Sequence, residues 1–223
     1  MPINVAIDGP SGAGKSSAAK ALAKKLGYLY IDTGALYRAI GLFAIRRNVT
    51  DMKNAEMVAP LLSDIDVSLR FVEGEQRVYL NGEDVSGLIR TQTVAQAASD
   101  VSAHPVVRTF LLDLQRKMAA EHDVLMDGRD IGTVILPQAQ VKFFLTANAA
   151  ARARRRTLEL QAKGIEADFD TVLREIEQRD ANDSSRATAP LKAADDAILV
   201  DNSDMDEMQT VDYMCAIIKE KLG

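Results

Sequence analysis

Residues Gly9-Pro10-Ser11-Gly12-Ala13-Gly14-Lys15-Ser16 make a complete Walker A pattern, and the apolar run Ile3-Asn4-Val5-Ala6-Ile7 precedes them. A strand that feeds a glycine-rich turn and then a helix aims a row of backbone N–H groups at one point in space. Gly9, Gly12 and Gly14 permit backbone conformations and close approaches that a Cβ would forbid. The helix N-terminus adds roughly half a positive charge at the same point. Lys15 can then reach β- and γ-phosphates, and the Ser16 hydroxyl can enter a Mg²⁺ shell. The expected ligand is a nucleoside triphosphate with Mg²⁺. A Gly/Ser turn capping an ordinary helix is the plainer reading. The strand before the loop and the helix-forming stretch Ser17 to Lys25 after it weigh against that.

A Walker A loop does not specify the reaction. The chain has no Asn-Lys-x-Asp guanine-reading motif and no Leu-Ser-Gly-Gly-Gln signature. Its distinguishing feature is the distribution of arginine. Arg38, Arg108, Arg129, Arg179 and Arg186 fall near element ends or in polar clusters, and Arg152, Arg154, Arg155 and Arg156 crowd into one short stretch. This layout suits phosphoryl transfer onto another phosphate. Such an acceptor is already anionic, so the site needs charge neutralisation and in-line alignment in place of a strong base. The planar arginine fork binds phosphate bidentately and keeps its charge. Any single arginine reads most simply as part of a solvated helix face. The Arg152–Arg156 group cannot all face one way, and Arg129 stands between Gly128 and Asp130.

The elements that must position these residues follow from the hydrophobic pattern. Helix Ser16–Leu26 stops at Gly27, strand Tyr28–Ile31 follows, and a helix runs from Ala35 to Arg47. Between Val67 and Ser86, Val67, Leu69 and Phe71 alternate with polar residues, as do Val78 and Leu80, and Asn81-Gly82 is a hairpin turn signal. Helices are expected at Thr91–Val101 and Pro105–Glu121, with strands at Val124–Met126, Val141–Leu145 and Ala197–Val200. Helical segments Ala149–Lys163 and Phe169–Arg179 lie between the last two strands. The sum is an α/β fold: a mostly parallel sheet wrapped by helices, with two excursions from it.

Composition sets the remaining bounds. The 223 residues are 47% hydrophobic and 26% charged, enough for a sizeable core. A net charge of −5 argues against a general nucleic-acid or membrane-surface binder. No apolar run approaches the ~20 residues of a membrane span, and the N-terminus enters a strand directly, with no signal peptide visible. Cys215 is the only cysteine, which excludes an intramolecular disulfide and a cysteine-rich zinc site; it is expected to be buried. His104 and His122 are too few and too far apart for a metal site. A reducing cytoplasm is the expected compartment.

Over nearly its whole length the chain resembles bacterial cytidylate kinases. The resemblance rests on the phosphate loop, Asp32-Thr33-Gly34-Ala35-Leu36-Tyr37-Arg38, Gly82-Glu83-Asp84-Val85-Ser86, Ile89-Arg90-Thr91-Gln92, Asp127-Gly128-Arg129-Asp130-Ile131-Gly132-Thr133-Val134, Arg179-Asp180 and Arg186-Ala187-Thr188-Ala189-Pro190-Leu191. It implies a parallel-sheet P-loop kinase core with helices on both faces, a small antiparallel β insert and a helical lid. The core would span 1–60, 97–148 and 191–223, the monophosphate-binding insert 61–96 and the lid 149–190. The implied reaction carries the γ-phosphoryl group of ATP to CMP or dCMP, with Mg²⁺, in a monomer.

The resemblance also implies site residues. The loop from Gly9 to Ser17, with Pro10, Ser11 and Ala13, and Arg152 would bind ATP. Lys15, Arg129, Arg155 and Arg156 would act on the transferring group. Tyr37, Arg38, Arg129 and Arg186 would hold the acceptor phosphate, with Thr33 nearby where some members have serine. Ser99, Arg108 and Asp130 would read cytosine, and Arg179 and Asp183 would lie near the ribose. Ser16 and, through water, Asp127 would serve Mg²⁺; some members have Gly-Thr at Ser16-Ser17, which leaves the choice of hydroxyl open. The base assignment fits elementary chemistry. A carboxylate at Asp130 accepts from the cytosine amino group and Arg108 donates to its acceptors, whereas uracil would leave buried groups unpaired. The rivals are a UMP-preferring nucleoside monophosphate kinase and a P-loop regulatory module that binds nucleotide without phosphorylating a small molecule.

Overall fold

Five short apolar runs build one parallel sheet in the computed structural model, which describes residues 1–223. They are β1 (Asn4–Asp8), β2 (Leu29–Asp32), β6 (Val124–Gly128), β7 (Val141–Thr146) and β8 (Ile198–Asp201), in the order β2-β6-β1-β7-β8. Parallel neighbours need long crossovers, and helices supply them, so both sheet faces are covered. The crossovers include α1 (Lys15–Leu26), α2 (Thr33–Arg46), α5 (Pro105–Glu121), α6 (Ala149–Ala162) and α7 (Phe169–Ser184), and α8 (Glu207–Leu222) closes the chain. Strand alternation splits the core. Val5 and Ile7 pack with Leu22, Phe143, Met214 and Cys215 on one face, and Ala6 packs with Ile31, Met126 and Ile131 on the other. Cys215 is buried, as its apolar surroundings predict.

The first excursion is an antiparallel sheet of β3 (Val67–Val72), β4 (Glu75–Leu80) and β5 (Glu83–Asp84). Asn81-Gly82 turns β4 into β5 with φ of 50° and 83°, as expected. A second turn, Glu73-Gly74 at 54° and 78°, joins β3 to β4 and escaped the sequence reading, since Glu is uncommon at positive φ. This sheet packs on α2 and on α4 (Gln92–Val101), beyond the short α3 (Ala55–Val58). Helices α2 and α4 approach so closely that a Cβ on Gly41 would stand 2.9 Å from the Ala98 nitrogen. The second excursion is the α6–α7 pair, with a small core of Ala153, Leu160, Val172 and Ile176.

Two boundaries differ from expectation in ways that matter for the site. Helix α2 begins at Thr33 because the Asp32 side chain caps it, accepting from the Ala35 N–H at 3.1 Å. Helix α7 runs past Arg179 to Ser184, which puts Arg179, Asp180 and Asp183 on one helix.

Candidate active site

Register determines where the polar residues collect. Ile7 pairs with Asp127 and Asp8 with Gly128, and Asp32 pairs with Asp127, so three strands end their carboxylates at one edge of the sheet. That is the carboxyl edge, where open parallel sheets bind ligands. A cleft of about 630 Å³ opens there. Its walls carry seven arginines and one lysine, in a chain of net charge −5.

One end of the cleft is the glycine-rich loop. Gly9 leaves β1 at φ 149°, and a Cβ on it would overlap the Leu145 carbonyl oxygen. Lys15 arches back over the loop and donates from Nζ to the Pro10 carbonyl at 2.6 Å. Burial first, and then the charge of Arg129, pull its ammonium well below the ordinary lysine value. A polyphosphate arriving here would restore the charged form. The Ser16 hydroxyl donates to Asp127 Oδ2 at 2.9 Å, and the Tyr30 hydroxyl donates to Oδ1 at 2.9 Å. Burial, followed by the neighbouring Asp32, pushes the Asp127 carboxyl up to about 6. Ser17 lines the cleft as well, but Ser16 is the hydroxyl that meets an acid. No three His, Cys, Asp or Glu side chains form a metal cluster. The Ser16–Asp127 oxygens fit a cation that keeps most of its waters and takes phosphate oxygens, which is the habit of Mg²⁺.

The rest of the cleft is built from arginines held by carboxylates. Asp183, almost fully buried, accepts from Arg129 Nε at 2.9 Å and Arg186 Nη2 at 2.5 Å. Asp32 accepts from Arg38 Nη2 at 2.6 Å and Arg90 Nη1 at 3.1 Å. Thr33 donates its hydroxyl to the Asp127 carbonyl at 2.8 Å, fixing the start of α2 against β6. Arg179 differs from its neighbours: no carboxylate lies within ion-pair distance and its buried Nε has no partner. Burial, and then Arg129, lower it to about 10. A half-buried guanidinium with an unpartnered Nε at the cleft is a place where an anion would be welcome. Farther along the cleft, Arg108 Nη1 donates to Asp130 Oδ2 at 2.9 Å and its Nε donates to the Ser102 carbonyl at 2.9 Å. Ser99 and Tyr37 share that wall. Burial raises the Asp130 carboxyl above its ordinary value, against the pull of Arg108.

The arginine-rich stretch divides. Arg155 and Arg156 line the cleft; Arg152 does not. The Arg152 guanidinium lies behind the phosphate loop. It donates to the Ala147 carbonyl at 2.8 Å and the Ser11 carbonyl at 3.0 Å, and pairs with Asp180 at 2.6 Å. All three of its nitrogens bond protein atoms, so the guanidinium braces, from behind, the loop expected to hold the donor phosphates. Arg155 donates to the Asn202 side chain and carbonyl and to the Met205 carbonyl. Arg156 pairs with Glu159 at 2.8 Å. Pro10 and Ala13 contribute through their carbonyls, the latter accepting from Asn202 Nδ2 at 3.1 Å.

A family model described as cytidylate kinase matches residues 5–220. The chain belongs to the cytidylate kinase family. Relatives agree along its whole length. A cytidylate kinase of Caldicellulosiruptor saccharolyticus is 47% identical over 221 residues, 99% of this chain and 97% of that one. One from Lactobacillus johnsonii is 48% identical over 219 residues, covering 98% and 95%. One from Geobacter sulfurreducens is 46% identical over 217 residues, covering 97% and 93%. Membership makes the chain a transferase, a nucleoside monophosphate kinase of pyrimidine nucleotide metabolism with ATP as co-substrate. No helix is long and apolar enough to cross a membrane.

Sequence reasoning missed three residues of this kinase's site. Asp8 ends β1 and accepts from the Ile131 and Gly132 N–H groups, each at 2.7 Å, fixing the wide π-helical turn Ile131–Ile135 that follows Asp130. Asn202 bridges the phosphate loop to Arg155. Asp180 is the counterion of Arg152. The first two stand at or just past the carboxyl ends of strands, and that position alone would have flagged them.

Proposed function

We propose that this kinase transfers the γ-phosphoryl group of ATP to CMP or dCMP, giving ADP and CDP or dCDP, by Mg²⁺-assisted in-line transfer in a closed site. The observation that carries the base assignment is the buried Arg108–Asp130 pair on the cleft wall beside Ser99. Cytosine offers one donor and adjacent acceptors, and this pair offers the complementary set. Uracil would turn an acceptor towards a carboxylate, at a cost of about 1–3 kcal/mol per unpaired group.

In this reading the loop from Gly9 to Ser17 cradles the donor phosphates and Lys15 neutralises them. Ser16 directly and Asp127 through water would hold Mg²⁺, which when bound screens charge between the phosphates. Tyr37, Arg38, Arg129 and Arg186 hold the acceptor phosphate, with Thr33 shaping the floor. Arg179 and Asp183 face the sugar and the space between the two substrates. Arg155 and Arg156 serve the transferring group once the lid, residues 149–190, closes and excludes water. Residues 61–96 act as the acceptor module, and the segments 1–60, 97–148 and 191–223 as the core. Every side chain named comes from one chain, so a monomer suffices, and its single buried thiol suits a reducing cytoplasm.

The test is ADP release in a coupled assay with CMP, dCMP, UMP, AMP and GMP as acceptors. CMP or dCMP is expected to give the highest kcat/KM, by at least about tenfold over UMP. Equal use of UMP would remove the base assignment, and nucleotide binding without product would favour a regulatory module.

A further inference from the structure

Helix α5 carries a second buried polar side chain that the transfer chemistry does not use. Gln115 is 1% exposed and lies two helical turns beyond Arg108 on the same face of α5. Its Nε2 donates to the Leu111 carbonyl at 2.9 Å, within its own helix, while its buried Oε1 has no partner. An orphan amide oxygen in a packed interior calls for a physical reason.

The surroundings supply one. A second cavity of about 130 Å³ lies behind the Arg108–Asp130 pair, and Gln115 shares its wall with Tyr37, Arg108, Asp130 and Thr188. Tyr37, Arg108 and Asp130 also line the main cleft. These three side chains therefore form a partition, with the substrate cleft on one side and Gln115 on the other. The rear cavity is large enough for ordered water and has the polar groups to hold it. The partition is joined by hydrogen bonds from Arg108 Nη1, to Asp130 at 2.9 Å and to the Tyr37 hydroxyl at 3.3 Å. The second bond is long, so the hydroxyl needs another hold. Arg116, next to Gln115, donates to the carbonyls of Val134 at 2.9 Å and Ile135 at 3.1 Å. That anchors α5 to the turn following Asp130 and sets the distance between Gln115 and the partition.

We propose that Gln115 is a positioning residue for the acceptor base: its carboxamide, on the same rear cavity as the Tyr37 hydroxyl, holds that hydroxyl and with it the Arg108–Asp130 pair. It touches neither substrate nor reacting atoms. This role rests on the assignment of Arg108 and Asp130 to the base.

Gln115→Met keeps length and volume and removes both amide atoms. The KM for CMP is expected to rise about tenfold and the preference for CMP over UMP to fall by a similar factor, with kcat and the KM for ATP within about twofold of the parent. A purely structural role would move the melting temperature and leave KM and base preference unchanged; that result overturns the proposal. If Gln115→Met folds poorly, Gln115→Asn withdraws the amide by one methylene and is expected to give a smaller loss of the same kind. A double-mutant cycle with Tyr37→Phe tests the route. Once the hydroxyl is gone, changing Gln115 should add nothing to the KM for CMP, and full additivity would refute the link. Arg108→Met in the same assay separates the two levels. If it shifts the CMP-to-UMP ratio and Gln115→Met does not, only the positioning role fails. If Arg108→Met leaves the ratio unchanged, the base assignment fails and the Gln115 role with it.

Discussion

The two excursions from the sheet are held together by different means. The insert β3–β5 with α2 and α4 shares a cluster of 20 buried side chains, among them Leu36, Ile40, Phe43, Val78, Leu80 and Ile89. The α6–α7 pair has only four: Ala153, Leu160, Val172 and Ile176. What ties α6–α7 to the rest is polar: Arg152 to the Ser11 carbonyl, Asp183 to Arg129, and Arg155 to Asn202 and Met205. Apolar packing of that extent keeps the insert in one shape, as an acceptor module needs before substrate arrives. A few hydrogen bonds at a helix end can be exchanged for bonds to phosphate. In the proposed function, this difference separates the side that waits from the side that moves.

Lys15, at the start of α1, belongs to neither side but faces the cleft between them, and removing it should have the largest effect. Lys15→Ala is expected to lower kcat by about a hundredfold to a thousandfold with cooperative unfolding intact, read from steady-state kinetics and thermal melts. A near-normal rate would place phosphate neutralisation elsewhere.

The comparison itself is tested by one truncation on each side. Ile40→Ala should cost about 3 kcal/mol and lower the melting temperature by roughly 6–12 °C. Leu160→Ala should shift global melting by less than about 3 °C while slowing transfer more than it weakens CMP binding. Equal melting shifts would show that the lid is as integral as the insert.

Base choice sharpens the picture at the core residues that follow β6. Asp130→Asn turns half of an acceptor into a donor, so kcat/KM for CMP should fall about tenfold to a hundredfold, with UMP losing less. Arg129→Ala should weaken CMP and UMP alike, since it is assigned to the phosphate they share. The two CMP-to-UMP ratios check this. A ratio that moves with Arg129 and not with Asp130 would reverse the roles.

The smallest effect is electrostatic. Burial tends to raise the Asp183 carboxyl, but Arg129 and Arg186 outweigh it and hold it below the ordinary value of 3.8. A depressed carboxylate stabilises the fold fully above 3.8, and this contribution fades as pH falls through the lower folded value. Urea midpoints near neutrality and at about pH 3 should converge in acid for Asp183→Asn and the parent. A constant gap across that range would deny the ion pair its role.

Much of this was legible in the chain. The phosphate loop, the parallel strands and the Pro105 start of α5 follow from local pattern, because glycine, proline and alternating apolar residues act over a few positions. The Asn81-Gly82 turn was legible for the same reason. The retreat of Arg152 from the cleft was not, since it depends on Ser11, Ala147 and Asp180 converging from three segments. The unpartnered Nε of Arg179 was equally invisible, because lacking a partner is a property of space and not of spacing. Asp8 stood in plain view before the loop, but its work on the Ile131 and Gly132 N–H groups belongs to a segment 123 residues away.

The central strand has a consequence for synthesis. β1 lies between β6 and β7, with Asn4 opposite Val124 and Val5 opposite Val141, so the first strand made is among the last to find its neighbours. At about 5–20 residues per second, that wait is on the order of ten seconds on the ribosome. Through it Val5, Ala6 and Ile7 stand without the sheet that later buries them completely. The nascent chain therefore has a phosphate loop long before it has a floor to set it on, and helpers that shield apolar segments would find a target in β1.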